Sequence, residues 1–393
     1  MQRNNMTSSG MSPIPLANAR QSARSDGGHA EVATLGSAGP EHSAGLPTVV
    51  VVDAGGTITA TTPDRISYLS YSQSLSGGIT DLLIRMYPEL GRVAKVSVVS
   101  TDISGLSSDS TTESRHQLSQ TVDACLALSD VVGVVVTGGT NILEEDAYFL
   151  DLTIRSEKPV VVTGAMHQSG TFTEDGMTNL FSAIRLAASE RTTSFGTVIL
   201  MNDQIFAARE VTKTDGYRLD AFAAGSYGAV GVVNADRIRL IRAPARVTLH
   251  GTASWKTPFD LSRRTAAELV RVEIVSGYLD ASAVPIQALA AAGIKGIVTA
   301  GHGPGSMSVA QGAAMAAAIA DGVLFVSATR TGGEGRYDDG SPGIIGAADL
   351  TPQKARLLLQ LCMSFSEEET QVRDWFKSIG DPQFGLRPKT WRR

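Results

Sequence analysis

The sequence predicts an α/β fold with two domains, and the strand and helix patterns along the chain are the main reason. Short apolar runs rich in β-branched residues recur at 48–52, 131–136, 159–163, 197–201, 272–275, 296–300 and 323–327. Continuous apolar runs between turn residues are typical of strands buried on both faces, as in a parallel sheet. Amphipathic segments lie between the runs, at 144–154, 175–188, 309–320 and 352–361. A repeated alternation of strand and helix indicates an α/β architecture.

Changes in composition along the 393 residues predict the domain boundaries. Segment 1–46 is rich in Ser, Gly, Ala, Asn and Pro, so we expect a disordered tail. The alternative is that translation starts at Met6 or Met11 and the residues before it are untranslated sequence. Segment 246–270 interrupts the alternation and has mixed charges, which is typical of a linker. We therefore predict a larger N-terminal domain at 47–245, with a mostly parallel sheet flanked by helices, and a smaller C-terminal α/β domain at 271–393.

Composition excludes several classes of function. The chain has 34 basic and 39 acidic residues, a net charge of −5, and no basic stripe for nucleic acid. It has no uncharged apolar stretch of 18 residues, so we predict no membrane-spanning helix. Cys125 and Cys362 are far apart in sequence, which favours buried thiols and a cytoplasmic protein. The six histidines lack metal-ligand spacing, so we expect no metal.

Two loops that follow predicted strands are similar to each other. One reads VVDAGGT at 51–57 and the other VVTGGTN at 135–141. Glycine lets a backbone turn tightly and approach a ligand, and each loop then presents a threonine hydroxyl. Neither loop has the glycine pattern of a dinucleotide or phosphate site. Because ligands bind outside the carboxyl ends of strands in open α/β sheets, we predict the site here, although a plain turn with a capping threonine is the alternative for each loop.

Several collinear segments carry a resemblance to a known family. They are AGGTI at 54–58, GGTNILEE at 138–145, KPVVVTGAM at 158–166, AREVTKT at 208–214 and PQKAR at 352–356. Over about residues 48–380 the chain resembles the bacterial-type L-asparaginases and glutaminase-asparaginases. The resemblance implies an amidohydrolase that forms an acyl intermediate on a threonine, releases ammonia and needs no cofactor.

The resemblance also implies which residues carry the reaction. Thr57 matches the family nucleophile, while Thr140 and Lys213 match a second threonine and its lysine partner. A tyrosine downstream of Thr57 assists the nucleophile, and here Tyr71 is favoured over Tyr68. A lysine acts as a base only where burial or neighbouring charge lowers its pKa. We expect backbone N–H groups around Gly139 and Thr140 to face the oxyanion.

The residues expected to bind substrate depart from the family pattern. Ser107 matches a family serine, but Ser108 replaces a glutamine and Asn141 replaces the aspartate that binds the substrate's ammonium group. A hydrogen bond to a charged group contributes about 1.5–3 kcal/mol. We therefore expect free asparagine to bind poorly unless Glu334 or Asp109 supplies the missing charge.

The resemblance further implies a homo-oligomer, a tetramer or dimer, in which Ser306 and Glu334 complete a neighbouring subunit's site. The acidic run at 144–146 is explained by the positive end of a helix dipole.

Three functions remain open. The first is an amidohydrolase for a small carboxamide whose α-amino group is absent, acylated or otherwise uncharged. The second is an ordinary L-asparaginase that tolerates Asn141. The third is a catalytically weak relative that binds a metabolite or a partner protein. Retention of Thr57, Thr140 and Lys213 speaks against the third, because a binding module does not need two hydroxyls and an amine around one turn.

Overall fold

The computed structural model describes residues 31–34, 45–68, 73–75, 77–101, 110–234 and 236–384. The strands of these residues, in chain order, are β1 (Glu31–Thr34), β2 (Thr48–Asp53), β3 (Ala60–Thr61), β4 (Gln73–Ser74), β5 (Lys95–Ser100), β6 (Val131–Thr137), β7 (Val160–Thr163), β8 (Thr197–Met201), β9 (Gln204–Ala207), β10 (Thr212–Lys213), β11 (Phe222–Ala223), β12 (Gly231–Asn234), β13 (Arg237–Leu240), β14 (Val272–Ser276), β15 (Gly296–Gly301), β16 (Leu324–Thr329) and β17 (Ile344–Gly346). The helices are α1 (Gly78–Arg85), α2 (Thr112–Ala127), α3 (Leu143–Thr153), α4 (Gly176–Ala188), α5 (Val284–Ala291), α6 (Val309–Ala320), α7 (Pro352–Phe365) and α8 (Glu369–Trp375).

The N-terminal part is built on a nine-stranded sheet in the order β1-β5-β2-β6-β7-β8-β9-β12-β13. The pairs from β5 to β8 are parallel, and the pairs at both edges are antiparallel. The strands of the parallel part are buried on both faces, since Val49 and Val51 contact one apolar cluster and Val50 and Val52 contact another. Helices α1 and α4 cover the first face, and α2 and α3 cover the second. This is the mostly parallel, helix-flanked sheet that the sequence predicts.

The C-terminal part is a four-stranded parallel sheet in the order β14-β15-β16-β17. Helices α5 and α6 pack on one face. Helix α7 packs on the other face, in an apolar cluster that also holds Tyr148 and Phe149 of α3. The smaller sheet is therefore joined to the larger one by a shared core as well as by the chain.

The predicted linker at 246–270 contains four short 3-10 turns instead of extended chain. Trp255 is buried, donates from its indole N–H to the Ser194 carbonyl and lies under the Arg246 guanidinium. Phe259 is fully buried against the rings of Phe365 and Trp375. The segment is thus packed against both sheets, and the domain boundaries predicted on either side of it stay a prediction.

The apolar runs and amphipathic segments chosen from sequence all form strands and helices within a few residues of the expected ends. Several elements were missed, among them β5, α2 and the strand β10 that carries Lys213. Strand β5 reads KVSVVS, so polar residues interrupt its apolar run. Helix α2 is mostly polar, although Thr111 and Ser114 form a capping box at its start. Both signals are weaker than those of the valine-rich strands because polar residues separate the apolar positions.

The tail prediction needs a correction at one point. Glu31–Thr34, within the segment 1–46 expected to be disordered, form β1 and pair antiparallel with β5. A four-residue edge strand does not need a long apolar run, so the composition of segment 1–46 gives no sign of β1. Residues 1–30 and 35–44 lie outside the described residues, as do Tyr71, Ser107, Ser108 and Asp109.

Both cysteines are buried free thiols, as predicted, and burial raises the pKa of Cys125 to about 11. Among the helices that the structure describes, none is long and apolar enough to cross a bilayer.

Candidate active site

The two glycine turns lie side by side at the carboxyl edge of the large sheet. Strands β2 and β6 are parallel neighbours, and Asp53 at the end of β2 pairs with Thr137 at the end of β6. Strand β5, which follows β2 among the strands of this sheet, lies on one side of β2, and the next strand β6 lies on its other side. The strand order therefore reverses at β2. Such a switch point opens a crevice outside the strand ends, which is the usual ligand position in open α/β sheets. Asp53 Oδ1 joins the two loops by accepting hydrogen bonds from the Gly55 N–H (3.0 Å) and the Thr137 hydroxyl (3.1 Å).

Backbone contact between the turns requires glycine. Gly56 has φ of 95°, and a Cβ there would lie 2.5 Å from the Gly139 nitrogen. A Cβ on Gly164, after β7, would lie 2.7 Å from the Gly138 carbonyl oxygen. Three loops are therefore in direct backbone contact. Thr57 and Thr140 follow Gly56 and Gly139 directly, are 9% and 5% exposed, and therefore flank this backbone contact. The space outside the strand ends beside them is the threonine crevice.

Lys213 reaches the second threonine from a separate two-stranded ribbon. It lies on β10, which pairs antiparallel with β11, and its Nζ donates to Thr140 Oγ1 at 2.9 Å. Burial lowers the pKa of the Lys213 amine, while the carboxylates of Asp215 and Glu144 act in the opposite direction. The structure therefore brings Thr140 and Lys213 together in an arrangement that favours the neutral amine more than water does.

Helix α4 supports the loop that follows β7. Asp175 accepts hydrogen bonds from the backbone N–H groups of Met166 (3.1 Å) and His167 (2.9 Å). The Asn179 side chain donates to the Gly164 carbonyl and to Asp175. Burial raises the pKa of Asp175, and these donors oppose that rise. Gly164 and Met166 belong to a segment that carries the family resemblance, but the support that Asp175 and Asn179 give them is visible only once the loops are placed together.

The acidic run lies in the first turn of α3, as the helix-dipole explanation expects, and two of its members also have specific partners. Asp146 accepts a hydrogen bond from Arg115 at 2.8 Å. Burial raises the pKa of Glu144, while the charge of Lys354 and the Thr212 side chain lower it. Lys354 is only 1% exposed and lies on α7 of the C-terminal part. The helix dipole favours Glu144 at this position, and the charge of buried Lys354 adds an interaction between the two parts of the chain.

Other predicted residues lie farther from the threonines or outside the described residues. Asn141 is exposed beside Thr140. Ser306 and Glu334 are exposed in loops of the C-terminal part, where Glu334 accepts a hydrogen bond from the Tyr337 hydroxyl at 2.6 Å. Among the described residues, no hydrogen bond or ion pair joins Ser306 or Glu334 to the threonine crevice.

Tyr68, the alternative to Tyr71, packs its ring 4.9 Å from the His167 ring. Over the described part of the chain, no group of three or more His, Cys, Asp or Glu side chains is arranged to hold a metal ion.

Both parts of the chain match models of known protein families. Residues 48–246 match the family model described as "Asparaginase, N-terminal", and residues 271–376 match the "Glutaminase/Asparaginase C-terminal domain". The chain belongs to the asparaginase family.

Relatives of this asparaginase family member match along most of their length. The chain is 33% identical to "L-asparaginase 2" of Bacillus subtilis over 88% of this chain and 90% of that protein. It is 34% identical to "L-asparaginase 2" of Escherichia coli over 84% of this chain and 93% of that protein. The crystal structure of a "Probable Cytoplasmic L-asparaginase" from Campylobacter jejuni has a TM-score of 0.77 at 31% identity, covering 84% of this chain and 99% of that one.

The contact between the glycine turns leads to a stability prediction. We expect Gly56→Ala to lower the free energy of unfolding clearly more than Gly251→Ala. Both glycines have positive φ, where a side chain costs about 1–2 kcal/mol. At Gly56 the new Cβ would also overlap backbone atoms, whereas at Gly251 nothing lies within 4 Å of the new Cβ. Urea unfolding of both variants measures the difference. Equal losses of unfolding free energy in the two variants would show that the two glycine turns can move apart at little cost.

Proposed function

We propose that the protein is an amidohydrolase that cleaves a small side-chain carboxamide and releases ammonia. The observation that carries the proposal is the Lys213–Thr140 hydrogen bond in a crevice shared with Thr57. Two hydroxyls and an amine of lowered pKa at a sheet's switch point suit nucleophilic acyl transfer. The names of the relatives, which are L-asparaginases and a "Glutaminase-asparaginase" from Pseudomonas fluorescens, support the same reaction class.

In this proposal Thr57 Oγ1 attacks the carboxamide carbon, and its C–O bond forms as the carbonyl oxygen becomes an oxyanion. Backbone N–H groups of the glycine turns at Gly139 and Thr140 stabilise that charge. The C–N bond then breaks, and the leaving nitrogen takes the proton that the Thr57 hydroxyl gave up, passed on through Thr140 and Lys213, to depart as ammonia. Water hydrolyses the acyl-threonine to a carboxylate and restores the hydroxyl.

Lys213 and Thr140 handle protons in this scheme. A neutral Lys213 amine accepts the proton of the Thr140 hydroxyl, so that Thr140 activates either the attacking group or the hydrolytic water. The 2.9 Å bond is within direct transfer distance, and burial of Lys213 favours the neutral amine. Tyr71, or Tyr68 in its place, assists Thr57 from the loop downstream.

The substrate class follows from the position beside Thr140. Asn141 presents an exposed amide where an ammonium-binding carboxylate is expected, so a free α-amino group gains no ion pair there. We therefore favour carboxamides with an acylated or otherwise uncharged α-amino group over free asparagine. Ser107 and Ser108 are proposed to contact the remainder of the substrate.

Assembly and location belong to the same proposal. Ser306 and Glu334 are exposed and make no described contact with the threonine crevice, which fits a homo-oligomer in which they complete a neighbour's site. A cytoplasmic location is supported by the name of the Campylobacter jejuni structure, whereas a relative from Haemophilus influenzae is named as periplasmic.

The nucleophile assignment is tested with a panel of carboxamides that includes free and N-acetyl-asparagine. We expect Thr57→Ala and Thr140→Ala each to lower kcat/KM for ammonia release by on the order of 1,000-fold or more. Thr57→Ala removes the hydroxyl that forms the acyl bond, and Thr140→Ala removes the hydroxyl that transfers the proton. Thr192→Ala is the control, since Thr192 is also buried, at 1% exposure, and its hydroxyl has no partner among the described residues. Release that survives Thr57→Ala would reject Thr57 as nucleophile.

The substrate class is tested by restoring the carboxylate. We expect Asn141→Asp to raise kcat/KM for free asparagine by about 10- to 100-fold, because a charge-assisted hydrogen bond replaces a neutral one, and to leave N-acetyl-asparagine without this gain. Asn234→Asp adds the same charge at an exposed strand end away from the crevice and serves as the control. An unchanged ratio between the two substrates would contradict the proposed role of Asn141.

The proposed base predicts a pH dependence. Lys213 works as the neutral amine, so kcat/KM should rise with pH through the pKa of Lys213, which burial places below its ordinary 10.5. The Asp215 carboxylate raises that pKa, so Asp215→Asn should move the midpoint to lower pH. Asparagine can still accept the Tyr217 and Arg218 N–H bonds that Asp215 accepts. Asp220→Asn, beside exposed Arg218, is the control, and a midpoint that moves upward in Asp215→Asn would refute Lys213 as base.

A further inference from the structure

A buried lysine of the C-terminal part contacts the segment that leads to Lys213. Lys354 lies near the start of α7 and is 1% exposed. Its Nζ donates to the Arg209 carbonyl at 3.0 Å and also to the Val211 carbonyl. These carbonyls belong to the turn directly before β10, so one ammonium group holds the backbone at two points within four residues of Lys213.

Glu144 acts on the same segment from α3. It lies in the first turn of α3, four residues after Thr140. The Thr212 side chain and the Lys213 backbone N–H are close enough to its carboxyl group to lower the pKa of Glu144. Its Oε2 is buried and has no hydrogen-bond partner among the described residues, which leaves the charge of Lys354 to offset it. Glu144 on α3 and Lys354 on α7 therefore act on each other and on the same short segment, which leads into the strand of Lys213.

We propose that Lys354 and Glu144 are positioning residues, which brace β10 against α7 and α3 and thereby hold Lys213 Nζ on Thr140 Oγ1. The inference rests on the proposed function of the Lys213–Thr140 pair. It gives the C-terminal part a role in the chemistry of its own chain, separate from any contribution of Ser306 and Glu334 to a neighbour.

The physical cost of the pair supports a role beyond stability. A buried ion pair loses its hydration, and apolar residues of the same volume often serve stability equally well or better. The adjacent Arg209–Asp349 ion pair, with a separation of 2.5 Å, already ties the two parts together. Lys354 adds hydrogen bonds to the particular turn that carries Lys213, where a displacement of 1 Å can cost about 100-fold in rate.

The charges that face this cluster come from four segments. Asp215 and Glu144 face Lys213, and Glu145 faces Glu144 from the same helix. Arg209, Glu210 and Asp349 surround Lys354, where burial lowers the pKa of the amine to about 8. A change at Glu144 therefore alters the electrostatics of Lys213 as well as the support of its strand, whereas Lys354 supports the strand without acting on the pKa of Lys213.

The test compares Lys354→Met, Glu144→Gln and the double variant with Gln360→Met in the full chain. Gln360 is a buried polar residue of the same helix, and its side chain donates to the Val270 carbonyl instead of the turn before β10. We expect each single brace variant to lower kcat by 10- to 100-fold with KM changed much less. Glu144→Gln should also move the pH midpoint of kcat/KM downward, since the Glu144 carboxylate raises the pKa of Lys213.

The double variant separates positioning from folding. Removing both charges leaves no uncompensated buried ion, so its Tm should recover relative to the single variants, while kcat stays low because the hydrogen bonds of the brace are still lost. Gln360→Met should lower Tm without changing kcat, KM or the pH midpoint. A double variant with both Tm and kcat at the wild-type value would overturn the proposal.

Hydrogen exchange makes the test independent of activity. Amide exchange of residues 209–214 should rise at least about 10-fold in Lys354→Met and stay unchanged in Gln360→Met. If the unmodified protein releases no ammonia from any carboxamide, the proposed function fails, and the exchange measurement alone still decides whether the brace exists. Unchanged exchange in Lys354→Met would reject the brace even in an active enzyme.

Discussion

The contact between two glycine turns is the constraint on which the site depends. Gly56 lies so close to the Gly139 nitrogen that no side chain fits between them, and this contact exists only because β2 and β6 are parallel neighbours with Asp53 opposite Thr137. The strand order brings the two glycines into contact, and the glycines in turn bring the threonines that follow them to the same edge of the sheet. A different order of strands would leave two ordinary capped turns far apart, with no shared crevice for Thr57 and Thr140.

Sequence patterns predict the parts of this arrangement that depend on local chemistry. A strand buried on both faces must be apolar throughout, which is why β2, β6 and β7 are recognisable as runs of valine. Glycine and threonine after such a strand mark the turn in the same way. The pattern fails for β5, whose alternation of polar and apolar residues is common to exposed strands of many folds.

Contacts between distant segments could not be predicted from these patterns. Glu144 belongs to an acidic run at a helix start, for which the helix dipole is a sufficient local explanation. Only the packing of α7 against α3 reveals that a buried lysine faces it. The support that Asp175 and Asn179 give to the loop after β7 is likewise a property of tertiary contact, because their partners Met166 and Gly164 lie on a different element.

The distribution of charge around Thr140 separates two tasks of the site. On the solvent side, Asn141 provides no charge to attract an ammonium group. On the protein side, Glu144 and Asp215 remain and oppose the effect of burial on Lys213. Proton transfer needs an amine whose pKa is balanced between burial and neighbouring carboxylates, whereas substrate choice needs a charge that the substrate can touch. Because different residues serve the two tasks, substrate preference can change at Asn141 while the Lys213–Thr140 bond and the chemistry proposed for it are retained.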